Sequence, residues 1–137
     1  MKSRRWIYLI LILAAAGLWA LRANRADGAR AAERAFKHHV SGLMLAVPGV
    51  VGRILDDDPQ PPRHQRFVIR TARGQTLLVA HNLELAPRAQ VRVGDEVVVR
   101  GEYEWNDEGG LLHDTHSRAR GGPSGWIRVR RSGRVYR

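Results

Sequence analysis

The chain of 137 residues carries a formal net charge of +10, is 44% hydrophobic and has no cysteine. That length supports one core of about a hundred residues plus appendages, not two domains. The missing cysteine excludes disulfides, a thiolate nucleophile, a lipid-modified cysteine and a Cys-type zinc site.

The positive charge sits in the tails. Residues 48–117 hold eight arginines against eleven carboxylates, while the rest holds fifteen Lys/Arg against only Asp27 and Glu33. A nucleic-acid groove would put its cations on the domain itself, so this division argues against that function.

Lys2, Arg4 and Arg5 precede an apolar run from Trp6 to Leu21, the pattern of a signal peptide or membrane anchor over residues 1–22. As helix, the run would span about 24 Å against a hydrocarbon core of about 30 Å, with Trp6, Trp19 and Arg22 at the interfaces. Ala14-Ala15-Ala16 offers a cleavage signal, but cutting there leaves Leu18, Trp19 and Leu21 on the mature end, which favours an uncleaved anchor. The early basic cluster places the N-terminus inside and the domain in the periplasm, although Arg22, Arg25 and Arg30 follow the run.

Residues 23–43 read as a helical spacer between membrane and domain. Ala29, Ala31, Ala32 and Ala35 favour helix, and the apolar face is thin, only Phe36 and alanines. His38-His39 is expected to be exposed there, and the basic residues to meet solvent or lipid headgroups.

Strand signals follow. Val50 to Leu55 is rich in β-branched residues after Pro48-Gly49, and Arg66 to Thr71 alternates with Phe67 and Ile69 on one face. Ala72-Arg73-Gly74 joins it to Gln75–Ala80 as a hairpin. Glu96 to Trp105 is the longest run, and Gly101 in its middle predicts a bulge or sharp bend. Leu111 to Thr115 is a fifth strand, and Leu83 to Arg88 a helical turn or loop.

Five short strands with a small insertion between the third and fourth predict an all-β domain over residues 44–137, an OB-like barrel, with an SH3-like barrel as competitor. Trp126–Val129 and Arg134–Tyr136 flank Ser132-Gly133 and predict a cationic C-terminal hairpin within residues 124–137. Asp56-Asp57-Asp58 before a proline-rich loop needs a basic partner or a cation; a solvated loop is the simpler expectation.

The chain resembles the bacterial domain-of-unknown-function family numbered 3465. The resemblance rests on Asp56-Asp57, His64-Gln65-Arg66-Phe67, Gly74-Gln75-Thr76-Leu77-Leu78, Ala80-His81-Asn82, Leu85-Ala86-Pro87-Arg88, Gly94-Asp95, Gly101-Glu102-Tyr103-Glu104-Trp105-Asn106, Gly109-Gly110, His113, Thr115-His116 and Gly125-Trp126. It covers about residues 48–137 and implies an exported or membrane-attached, OB-like domain with no assigned activity. The chain departs from the family pattern at Asp114, where members usually carry Trp, and at Arg118-Ala119-Arg120, where members place a further histidine.

The candidate ligand-binding set is His64, Gln65, Arg66, His81, Asn82, Glu104, Asn106, His113 and His116, gathered at one rim of the strand scaffold. Within it His64, His81, His113 and His116 are candidate ligands for zinc or copper. His64 and His81 meet if their strands form a hairpin, whereas His113 and His116 lie on opposite faces unless the strand ends near Asp114. The alternative is that these side chains satisfy backbone groups where loops cross the rim. Trp105, Trp126 and Tyr103 are expected to pack rather than stack bases.

Triad chemistry is disfavoured, because no serine lies within residues 42–116 and no Gly-x-Ser-x-Gly elbow exists. The expected function is an extracytoplasmic binding module with a His/Asn/Gln-lined site, tethered through its N-terminal segment. The alternatives are a metal-dependent hydrolase, or an interaction module using the cationic hairpin.

Overall fold

The computed structural model describes residues 2–118 and 121–137, except for the side chains of residues 2–5 and 21–25. Ala119 and Arg120, part of the segment where the resemblance implies a further histidine, lie outside the described residues. One helix, α1 (Lys2–Lys37), precedes seven strands: β1 (Leu43–Asp58), β2 (His64–Arg70), β3 (Thr76–Asn82), β4 (Glu96–Glu104), β5 (Leu111–His113), β6 (Trp126–Val129) and β7 (Val135–Tyr136).

Hydrogen bonding runs β1-β2-β3-β5-β4 and returns from β4 to β1, so five strands form a ring; β6 and β7 continue from β4. Among the described residues only β3 and β5 pair in parallel, the other pairings being antiparallel. β1 makes the ring possible because it serves two partners. Leu43 to Val50 pairs with Tyr103 to Glu96, while Val50 to Asp58 pairs with Arg70 to His64 through two register shifts.

The alternation expected of half-buried strands is met in β2, β3 and β4, whose residues point in and out by turns. Their inward residues, with Val47 and Val51 of β1, Leu112 and Ile127, make the core: Val47, Val51, Phe67, Ile69, Leu77, Val79, Val97, Val99 and Tyr103 are all fully or almost fully buried. Gly74 takes φ +85° in the β2–β3 turn, as the hairpin requires.

Gly101 differs from expectation. It stands in unbroken register opposite Leu45, with no bulge. Its role is a close approach: a Cβ there would lie 2.4 Å from the His113 carbonyl oxygen, so the strand needs glycine to let β5 cross.

The membrane-spanning helix expected over residues 1–22 is not found: among the described residues no helix is long and apolar enough to cross a membrane. The apolar run is only sixteen residues and is flanked closely by arginines on both sides, although the helix that carries it is 36 residues long.

Three of the four alanines assigned to a spacer are buried, Ala31 being only partly so. Ala29, Ala32 and Ala35 are 3%, 0% and 3% exposed, and the last two belong to the core cluster together with Val47 and Tyr103. The first half of β1 pairs with β4 on one edge only, and α1 lies against it. Small residues allow that approach; a Cβ on Gly28 would stand 2.0 Å from the Ala46 carbonyl oxygen. Polar contacts lock the helix in place. Trp105 Nε1–H donates to the Phe36 carbonyl at 3.1 Å, Gln75 Nε2–H to the Ala32 carbonyl at 3.3 Å, and Arg73 pairs with Glu33. His39 is exposed, as expected, and rests against the Trp105 ring at 4.3 Å between centroids.

Gly28→Ala tests this docking. In a free spacer helix the change would favour folding by up to roughly 1 kcal/mol. Against the Ala46 carbonyl it should instead cost about 1–3 kcal/mol, read by urea titration of the full chain in detergent micelles.

Candidate functional site

Antiparallel pairing of β2 with β3 sets His64 opposite Asn82 and Gln65 opposite His81. β5 runs parallel to β3 and leads Thr115 and His116 to the same end of the ring. The topology thus gathers His64, Gln65, His81, Asn82, Thr115 and His116. Asn106 belongs to the other end, in the β4–β5 turn, where its Oδ1 accepts from the Glu108 and Gly110 amides at 3.0 and 2.9 Å. Arg66 points outwards and donates from Nε to the Asp56 carbonyl at 2.9 Å.

Most of the gathered groups are occupied in holding the 83–92 loop across the ring end. Buried Gln65 grips the Ala89 peptide from both sides, its Nε2–H donating to the carbonyl at 2.8 Å and its Oε1 accepting from the amide at 2.9 Å. Asn82 Oδ1 accepts from the Glu84 amide at 2.9 Å and starts a single turn, closed by the Ala86 amide donating to the Asn82 carbonyl at 3.1 Å and not continued as a helix.

Fully buried His81 spans from that loop to the β5 end. A carbonyl can only accept, so Nε2 carries the proton and donates to Pro87 O at 3.0 Å; Nδ1 then accepts from the Thr115 hydroxyl at 2.8 Å. Burial pushes its pKa below the usual 6.5, and the neighbouring imidazoles of His116 and His64 push the same way, outweighing the hydrogen bond to Pro87.

The four-histidine metal site is therefore corrected. Both His81 nitrogens are engaged, so its lone pair is taken by the Thr115 hydroxyl and not open to an ion, while His116 donates from Nδ1–H to the Ser117 carbonyl at 3.0 Å and turns Nε2 towards Asp114 Oδ1, 3.8 Å away. No three of His64, His81, His113 and His116 come together as ligands among the described residues. Because β5 ends before Asp114, His113 and His116 both approach Asp114 Oδ1, at 3.4 and 3.8 Å. His113 lies on the outer surface of the ring.

There it stands directly opposite Glu102 of β4, with Glu104 beside it. Donor atoms of Glu102, Glu104 and His113 lie within 4.8 Å of one another. His113 Nε2 is 3.2 Å from Glu104 Oε1, and Nδ1 is 3.4 Å from Asp114 Oδ1. Nε2 is shielded from solvent and makes no hydrogen bond of good geometry with any described residue. Asp114 turns the chain at φ +51° and pairs with Arg118, which also reaches Glu102 at 3.5 Å. Burial alone would raise the Asp114 carboxyl, but the charges of His113 and Arg118 and their hydrogen bonds outweigh it and hold the group below its usual range.

Glu102 is not in the ligand-binding set read from the sequence, although with Glu104, Asp107 and Asp114 it is one of the carboxylates near the histidines that leave metal-assisted hydrolysis open. Its signal was present, because it shares the outward face of β4 with Glu104 two residues on, but the β4–β5 register was needed to bring His113 beside it. The Asp56–Asp58 run resolves as a basic-partner case. Asp57 pairs with Arg88 and with Arg63, and the Arg88 hydrogen bond foremost holds its carboxyl low.

A family model described as "Protein of unknown function (DUF3465)" matches residues 11–137. The chain belongs to this family. No curated protein and no solved structure matches it. The matched span includes the docked half of α1 as well as the strands, so within DUF3465 the helix is part of the matched unit and not only an attachment.

Neutral, buried His81 makes the stability of this DUF3465 domain pH-dependent. Below about pH 6.5 the unfolded chain binds a proton that the folded chain refuses, so stability falls as pH drops, by at most about 1.4 kcal/mol per unit. The depressed carboxylates of Asp57, Asp95 and Asp114 lose their contribution only at lower pH, below about 4. Thermal melts at pH 7.5 and 5.5 should therefore differ in the native chain. His81→Gln, which keeps one donor and one acceptor, should flatten that difference.

Proposed function

We propose that the chain is a membrane-tethered, OB-like binding module held outside the cytoplasm, with its ligand surface on the outer face of β4 and β5. The observation that carries this reading is a division among the polar side chains. Gln65, His81 and Asn82 are spent on backbone groups of the closing loop, whereas Glu102, Glu104 and His113 converge outwards, with His113 Nε2 lacking a hydrogen bond among the described residues. Groups needed only for folding end up paired; an outward convergent set is what a ligand would use.

The OB-like assignment draws on the strand order, a ring closed between β1 and β4 with one parallel pair. The tether draws on exposure. Trp6, Ile7, Tyr8, Leu9, Ile10, Leu11, Ile12 and Leu13 are all more than half exposed in the folded chain, a stretch of apolar surface that water does not tolerate well and lipid would cover. The basic residues before it favour the domain on the far side of the membrane.

Catalysis is not part of this reading. The region between Gly42 and His116 holds no serine, the chain no cysteine, and the outward cluster has no nucleophile beside a base.

A second reading rests on a separate feature, a shallow groove lined by Trp126, Arg128, Val135 and Arg137 on the C-terminal hairpin. Arg128 stacks over Trp126 at 5.1 Å, while Arg130 and Arg131 are tied to Glu96 and Asp95. The hairpin would then meet an acidic partner through Arg128 and Arg137, with Arg130 and Arg131 serving structure.

Protease added to spheroplasts tests the tethered reading. A C-terminal tag should be removed from outside, while the chain stays with the membrane fraction through an alkaline wash. A tag protected until the cells are lysed would refute it.

A further inference from the structure

We propose that Glu102, Glu104 and His113 bind a divalent zinc-class cation on the outer face of β4 and β5; this deepens the binding-module reading and rests on it. The three side chains come from two neighbouring strands fixed by register, Glu102 directly opposite His113 and Glu104 opposite Leu111. Their donor atoms already lie within 4.8 Å of one another. Donors about 2.0–2.2 Å from a tetrahedral ion stand roughly 3.3 Å apart, so only a small contraction is needed. Half-exposed Glu104 is free to supply it by a change of rotamer.

The independent sign is His113 Nε2. It is sequestered from solvent and has no hydrogen-bond partner among the described residues, although Glu104 Oε1 lies 3.2 Å away. Buried polar atoms seldom remain unsatisfied without a functional reason, and an ion bridging the imidazole and the carboxylates would satisfy this one. The other ring nitrogen already has the neighbour that metal-binding histidines favour. Nδ1 lies 3.4 Å from Asp114 Oδ1, a carboxylate placed to orient the ring and turn Nε2 towards the glutamates.

The local charge agrees. Glu102, Glu104 and Asp114 face Arg118 as the only described guanidinium paired with them, so a divalent cation would relieve repulsion. One imidazole with two carboxylates suits zinc better than calcium or magnesium, which favour all-oxygen shells. Three protein donors leave a coordination position for solvent or an anionic group of a ligand, which would give the proposed binding face its chemistry.

The test uses the full chain in detergent micelles, stripped with a chelator and titrated calorimetrically with zinc chloride. One equivalent should bind, and Glu104→Gln and His113→Asn should each weaken it by more than about tenfold. The control Glu84→Gln, in an exposed turn away from the cluster, should bind like the native chain. Melting without metal reports whether each variant folds; Glu102→Gln replaces either one that does not. Cobalt(II) in place of zinc should give visible absorption bands that change in His113→Asn. No binding by the native chain, or equal binding by the native chain and the ligand variants, overturns the metal site. Zinc bound as expected by a domain shown by protease to lie in the cytoplasm would support the site while refuting the tethered reading.

Discussion

Everything in this fold depends on β1 working on both of its edges. Val50 is the pivot: it pairs with Glu96 of β4 on one side and with Arg70 of β2 on the other. Before it the strand belongs to β4, after it to β2, and without that exchange the five strands would form an open sheet with free edges. Gly49 stands at the exchange, where a Cβ would meet the Arg70 carbonyl oxygen at 2.9 Å. Because one strand bends across two partners, its first half is left with an unpaired edge. The Gly28-to-Phe36 part of α1 lies along that half, which explains why the helix face is made of glycine and alanine: a larger side chain would hold the backbone away.

The two ends of the ring are closed by different physics. At the helix end, apolar burial of Ala32, Ala35 and Phe36 is supplemented by side-chain donors reaching helix carbonyls. At the other end the 83–92 loop lacks a long apolar stretch, and only Ala86, Ala89 and Val91 face inwards. Its hold comes from Gln65 and His81, which exchange hydrogen bonds with its peptide groups. Such bonds add modestly when made but cost much when broken, since each leaves a buried donor or acceptor without water. Burying a histidine for this purpose is acceptable only in the neutral form, and that choice links folding to pH.

Much of the strand pattern was legible in the sequence because alternation of apolar residues is a local signal. Phe67 and Ile69 fall on the inner face as their spacing predicts, and Leu77, Val79, Val97 and Val99 alternate in the same way. The length of β1 was not legible: its first half includes Pro48 and Gly49, residues that read as a turn, and they are tolerated because that edge pairs on one side only. The buried role of the helix was hidden for a related reason, since alanine looks the same in a solvated helix as in a tightly docked one. Among the polar residues, the hairpin brings His64 and His81 to one end of the ring, but the register sets His64 opposite Asn82 on the outward face and His81 opposite Gln65 on the inward one. What the His81 imidazole does there did not follow from the hairpin, because it is fixed by the Pro87 carbonyl and the Thr115 hydroxyl, partners that only the folded chain supplies.

The charge division follows the same logic of partners. Arginines of the C-terminal segment looked like one cationic surface, yet three of them answer carboxylates of the strand body: Arg118 with Asp114, Arg130 with Glu96 and Arg131 with Asp95. Half-exposed pairs of this kind contribute little to stability but fix where the segment lies. Arg118 has a further consequence, since it partly neutralises the cluster of Glu102, Glu104 and Asp114 without reaching His113. The cluster thus keeps a net negative charge around an imidazole nitrogen that makes no hydrogen bond of good geometry among the described residues. A folded domain does not need that arrangement for its own stability, and this is the physical reason to look for function on the outer surface and not inside the polar end of the ring.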